Sequence, residues 1–274
     1  MRRDLRTLFL MGVVMKRILG TVMVTAALTA PGLAADLGAR TYTKAPVVAP
    51  VSNWSGFYVG GNLGYGWGDG NTDFSFLPSP ERFGDNNTTL GARSTGVTGG
   101  AQFGYNWQIG SLVTGLEADI QGSDIKGSAR GTPTFFGTAD LDPNAVLSSE
   151  QKLSWFGTVR GRLGVTVTPD LLLYGTGGLA YGHVDASANS QFNGGIFEAP
   201  ASVSKTKVGW TAGAGAEWMF AHNWSAKLEY LYVDLGSESA IGSFAPPVDP
   251  QFKVGYTWRF RENIARVGVN YHFN

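Results

Sequence analysis

Any chemistry in this chain must come from histidine, serine, carboxylates and basic side chains, because its 274 residues include no cysteine. A thiolate metal site, a cysteine nucleophile and a disulfide framework are thereby excluded. His183 stands two residues before Asp185, a spacing that turns both side chains to one face of a strand. The pair could orient an imidazole for proton transfer. Catalysis needs nucleophile, base and orienting group together, and no nucleophile is positioned beside them, so His183 reads as a histidine at the outer rim. His222 and His272 fall at the opposite ends of the strands, so the three histidines cannot form one metal site. A haemin site would need an axial ligand and an apolar platform, for which the candidates are His183 with Phe135, Phe136, Phe192, Phe197 and Phe244. The glycine-rich stretch GVTGGAQFG (96–104) precedes no helix and cradles no phosphate. The expectation is a protein that is not an enzyme and carries no catalytic residue, metal or cofactor.

The charged residues carry a different message. Only 15% of the chain is charged, against about 25% in soluble domains, while 39 glycines and 12% aromatic residues suit short twisted strands and turns. Mean hydropathy is −0.04, too polar for a bundle of membrane helices and suited to a sheet with one oily and one polar face. After residue 34 there are 16 basic against 20 acidic residues, which gives no basic footprint for nucleic acid.

From Trp54 onward apolar residues fall on every second position, the period of a half-buried strand. Eight such runs occur, at 56–68, 95–107, 112–125, 151–166, 171–185, 205–219, 224–235 and at the end of the chain to Phe273. In the fourth, Leu153, Trp155, Val159, Leu163 and Val165 alternate with Lys152, Ser154, Thr158, Arg160 and Arg162. The links after runs two, four and six are tight, whereas 69–94, 126–150, 186–204 and 236–252 are long and polar. Strict alternation of short and long links is the pattern of outer-membrane barrels. The fold class expected is therefore all-β, an eight-stranded antiparallel transmembrane up-and-down β-barrel.

Which face is oily fixes the orientation. The face with charges is otherwise rich in Gly, Ser, Thr and Asn, as a narrow lumen requires, and the other face carries the large apolar groups. Glu117, Asp119, Lys152, Arg160, Arg162, Glu217, Lys227, Glu229 and Arg266 are expected to share the lumen as a paired network. The alternative is a narrow porin in which some pairs exchange partners. Trp107, Trp218, Trp224, Tyr271 and Phe273 near the tight turns, and Trp67, Tyr181, Tyr232 and Trp258 near the long links, are expected to form two aromatic girdles.

Ahead of the barrel, MKRILGTVMVTAALTAPGLAAD from Met15 has a basic start, an apolar run and small residues before a cut, the pattern of a signal peptide over residues 1–35. Met15 is a candidate for the true start. The apolar run is shorter than the ~20 residues of a spanning helix. Residues 36–53, with Pro46 and Pro50, read as an extended linker, and 54–274 as the barrel.

Four segments, NWSGFYVGGNLGYGWG (53–68), YGTGGLAYG (174–182), WSAKLEYLYVDLG (224–236) and RVGVNYHF (266–273), resemble the small outer-membrane β-barrel, porin-family proteins of alphaproteobacteria, which include surface antigens and haemin-binding members. The resemblance implies a barrel related to the OmpA type, set among outer-membrane lipid and lipopolysaccharide. It further implies folding by the outer-membrane assembly machinery and a role in envelope integrity, ligand binding at the loops or host contact. Two features depart from the pattern. The terminal aromatic assembly signal is followed here by Asn274, and no residues remain for a peptidoglycan-binding domain.

Overall fold

The computed structural model describes residues 53–77, 87–132, 144–248 and 250–273, which all belong to one unit, Ala49–Asn274. The segments expected to be signal peptide and linker, up to residue 52, and Phe135, Phe136 and Asn274 lie outside the described residues. Nine strands follow in order: β1 (Gly56–Leu77), β2 (Asn87–Ile109), β3 (Leu112–Gly131), β4 (Val146–Thr168), β5 (Leu171–Phe192), the two-residue β6 (Phe197–Glu198), β7 (Ala201–Ala221), β8 (Trp224–Ser243) and β9 (Lys253–Phe273). Every neighbouring pair is antiparallel, and β1 pairs with both β2 and β9, so the eight long strands close a ring. Closure leaves no hydrogen-bonding edge facing lipid, the condition for spanning a bilayer with strands. The turns Ile109–Leu112, Thr168–Leu171 and Ala221–Trp224 are tight, the first bending at Gly110 with φ +62°.

The long strands run 20 to 23 residues, whereas a tilted strand crosses a bilayer in about 9–11. Roughly half of the wall therefore stands beyond the hydrocarbon, and much of the sequence expected to be long loops is strand. The reason lies in side-chain polarity. Nearest the tight turns the apolar residues face outward, as at Leu63, Val97, Leu116, Leu163 and Leu228. Farther up the same strands they face inward: Phe74, Leu147, Val184, Val254, Tyr256, Trp258 and Phe260 are all buried. The outward positions there are polar, so the segments look like loops to any reading that keeps one oily face along a whole strand.

On two strands the change of face is built into the backbone. The β4–β5 register shifts between Leu153 and Trp155, and the extra residue of a bulge reverses which parity faces out. Below it Trp155 and Val159 face out; above it Leu153 is buried and Lys152 exposed. The β8–β9 register shifts between Asp234 and Gly236. Gly236 accepts φ +76° there, a conformation costly for other residues, and donates its amide to Asp234 Oδ1 at 2.7 Å.

Above the membrane the wall divides. β7 pairs with β8 only from Trp210↔Asp234 to Ala221↔Trp224, and β2 with β3 only from Thr95↔Lys126 to Ile109↔Leu112. These two seams lie on opposite sides of the ring, leaving β8-β9-β1-β2 and β3-β4-β5-β7 as two four-stranded sheets. Their inner faces touch: Trp258 Nε1 donates to Ser149 Oγ at 3.1 Å, Thr72 and Ser149 hydroxyls lie 2.7 Å apart, and Tyr256 Oη donates to Ser190 Oγ at 3.0 Å. The outer half is thus a β-sandwich with an apolar interior, rooted in the barrel.

Candidate functional site: the barrel interior

Below the sandwich the lumen is filled by charge. Strands β3, β4, β7, β8 and β9 contribute four carboxylates (Glu117, Asp119, Glu217, Glu229) and four cations (Arg160, Arg162, Lys227, Arg266), all buried. Each comes from the inward parity of its strand, where period-two alternation leaves it no route to solvent. Arg160 makes ion pairs with Glu117, with Asp119 Oδ2 at 2.9 Å and with Glu229 Oε1 at 3.1 Å. Arg266 reaches Asp119 at 3.0 Å and donates from Nε to Glu229 Oε2 at 2.6 Å. Lys227 meets Glu117 at 2.9 Å, and Arg162 meets Glu217 at 2.6 Å. Four charges of each sign balance, so the layer carries no net charge.

Neutral groups complete the network. Tyr58 Oη donates to Glu117 at 2.7 Å and accepts from Arg162 at 3.0 Å; Tyr174 Oη donates to Glu229 at 2.9 Å and lies under the Arg162 guanidinium, 4.0 Å from ring centre to Cζ. Ser225 and Asn270 each donate to Glu217 Oε1 at 2.6 Å, and His272 Nε2 lies 3.4 Å from it. Glycine makes room for the two tyrosines: a Cβ at Gly104 would run into the Tyr58 ring, and one at Gly215 would come within 2.6 Å of Tyr174 Oη.

At the periplasmic end Trp54 closes the mouth. It is fully buried, donates from Nε1 to the Pro169 carbonyl at 3.0 Å and meets His272 edge-on at 5.8 Å. Above the charged layer Phe156, Leu231 and Ile264 begin the apolar core, all with no exposed area.

Of the nine residues expected in the lumen, the structure gathers eight. Lys152 is the correction: the bulge before Trp155 turns it to the outer wall. Among the girdle candidates Trp67, Trp107, Trp218, Trp224 and Phe273 are exposed on the outside, with Tyr181, Tyr232 and Tyr271 partly so. Trp258 is the second correction, because it is fully buried inside the sandwich, stacked on Tyr256 with centroids 6.0 Å apart. Its even number matches Arg266 rather than Val267, so parity alone places it inside. Trp54, Tyr58 and Tyr174 were missed as interior residues, although the parity of Tyr58 with Asn62 was the available signal.

His183 lies on the outer wall, its ring stacked on Trp155 at 6.4 Å. Phe192 meets Phe76 and Phe244 at the tip of the sandwich, nine residues farther along β5, or about 30 Å of strand. The described phenylalanines of the haemin set, Phe192, Phe197 and Phe244, gather at the tip, but His183 is not brought to them.

Outward apolar bands, a closed ring and an ion-paired lumen define a transmembrane β-barrel. The chain belongs to the family described as outer membrane protein beta-barrel domain, which matches residues 22–273, and it is an outer-membrane protein. It is 40% identical over 239 residues to the 31 kDa outer-membrane immunogenic protein of Brucella melitensis, covering 84% of this chain and 89% of that one. It is 33% identical over 234 residues to the 22 kDa outer membrane protein of Rhizobium leguminosarum, covering 84% and 82%. Among solved structures, OprG of Pseudomonas aeruginosa aligns over 81% of this chain and 98% of its own, with 13% identity and a TM-score of 0.49.

Proposed function

We propose that the protein is a closed barrel that reinforces the outer membrane and holds a β-sandwich above it as a contact surface, without catalysis. One observation carries the reading: Trp54, the balanced ion-pair layer and the sandwich core fill the interior in series. An eight-stranded barrel has an interior just wide enough for side chains to fill, and this one spends that width three times over. Relatives described as immunogenic outer-membrane proteins support surface display of the sandwich. Phe273, outward at the end of β9, is the aromatic residue offered to the assembly machinery.

Ser204, the serine that touches both His183 and Asp185, supports the non-catalytic reading. Ser204 has a single proton, and Asp185 Oδ1 lies 2.6 Å from its oxygen against 3.2 Å for His183 Nε2. With the proton on the carboxylate side, the imidazole can only donate to Ser204 and does not activate it. Conductance across a planar bilayer tests the closed barrel. Folded, inserted protein should give no channel steps, and Arg160→Ala should stay silent because two other layers remain; regular steps from the wild-type protein would overturn the reading.

A further inference from the structure

On the outer wall above the membrane, most cations face a carboxylate. Arg259 meets Asp73 at 2.6 Å, Arg261 meets Asp234 at 3.0 Å, and Arg93 stands directly across from Asp69. Lys126 and Lys152 each have a carboxylate near, Asp124 and Asp185, but they also face each other. They are direct cross-strand partners on β3 and β4, both facing out, and like charges placed so are destabilising.

Local carboxylates relieve them in part. Lys126 reaches Asp124 on its own strand at 3.2 Å, with both side chains more than half exposed, and such a pair contributes little. Lys152 enters no ion pair among the described residues. Asp185, its partner across β5, already accepts from Ser154 at 3.0 Å and Ser204 at 2.6 Å. The two lysines line a groove of about 620 Å³ together with Glu150 and Asp185, and its wall also offers the hydroxyls of Ser128, Ser187 and Ser202. Lys152 is three residues beyond the outward Trp155, so the groove begins within about 10 Å of the aromatic band that marks the lipid boundary.

We propose that this groove binds the phosphorylated headgroup of an outer-leaflet glycolipid, Lys126 and Lys152 sharing one phosphate and the serines meeting sugar hydroxyls. The inference rests on the outer-membrane placement and is independent of whether the barrel conducts. A phosphate between the lysines turns a repulsive rung into two charge-assisted contacts, and its lipid tail lies along the barrel wall.

The test is native mass spectrometry of the refolded exported chain with three probes: bisphosphorylated lipid A, the same lipid with both phosphates removed, and inorganic phosphate. The wild-type protein should retain bisphosphorylated lipid A, and the K126Q/K152Q variant should retain about tenfold less, the scale of one lost charged hydrogen bond. Arg259→Gln should bind as wild type, and the dephosphorylated lipid should bind wild type as weakly as lipid A binds the double variant. Equal retention by wild type and double variant would overturn the proposal, as would full competition by inorganic phosphate at the lipid's own concentration. Heat-modifiable migration verifies folding of each variant; if the double variant does not fold, Lys152→Gln alone is read against the same outcomes.

Discussion

Glu117 on β3 and Lys227 on β8 rise from diametrically opposite strands of the ring, and their side chains meet 2.9 Å apart across the lumen. A barrel whose opposite walls are joined by buried ions is braced as well as blocked. Buried pairs are weak evidence of net stability, but removing one partner strands the other without water.

Arg160 holds three carboxylates at once. Arg160→Met is therefore expected to lower the unfolding free energy by about 3–5 kcal/mol. Urea unfolding of the protein in lipid vesicles measures it, and a loss below about 1 kcal/mol, the scale of an exposed pair, would show that the layer is hydrated rather than dry.

Gly104 and Tyr58 share one volume. Gly104→Ala is expected to cost about 1–3 kcal/mol through overpacking, and Tyr58→Leu in the same chain to recover part of it. A double-mutant cycle in the unfolding assay gives the coupling, and strictly additive effects would contradict the contact.

Trp258 and Trp67 separate the two halves of the wall. Trp258→Ala empties part of the sandwich and is expected to cost about 3–5 kcal/mol, while Trp67, on the outside, should cost clearly less. Hydrogen exchange after Trp258→Ala should rise over residues 253–262 and stay unchanged over 263–273; uniform change along β9 would mean that the sandwich and the barrel are one packing unit.

The seam between β7 and β8 is expected to loosen at low pH. Beyond Trp210↔Asp234 no backbone pairing joins the strands; instead Lys207 Nζ lies 3.0 Å from Glu238 Oε2, and Lys205 also reaches Glu238. Hydrogen bonds from Lys205 and Lys207 hold the Glu238 carboxyl below the usual glutamate range. A carboxylate depressed in the folded state contributes stability above its unfolded pKa and loses it as pH falls through the folded value. Corrected for the intrinsic pH dependence of amide exchange, protection of the 201–209 and 235–243 amides should therefore fall on acidification, and Glu238→Gln should show the lower protection at every pH. Unchanged protection in that variant would remove Glu238 from the clasp.

The strands and the charged layer were legible because they share a single period of two: Leu116 and Glu117, or Leu228 and Glu229, are told apart by parity alone. What was not legible depends on where that parity changes meaning. Lys152 leaves the lumen because Ser154 adds one residue to β4, and a bulge has no residue signature as firm as the pattern it interrupts. Trp258 was assigned to the lipid boundary by its neighbourhood rather than its parity. The outer strands read as loops since Ser, Asn and Thr face water there, and the inward Phe74, Leu147 and Val254 are too widely spaced in sequence to announce a second core. Trp54 stands at the border of the linker, where no periodicity exists to assign it.

The wall reverses its polarity at the outer aromatic band, oily outside below it and oily inside above it. The most direct measurement is tryptophan quenching in barrels that retain one of the eight tryptophans, folded in bilayers of brominated lipid. A barrel keeping only Trp210 should be strongly quenched, while one keeping only Trp258 should be protected from the lipid and from aqueous iodide alike. Quenching of Trp258 by brominated lipid as deep as that of Trp210 would contradict the account.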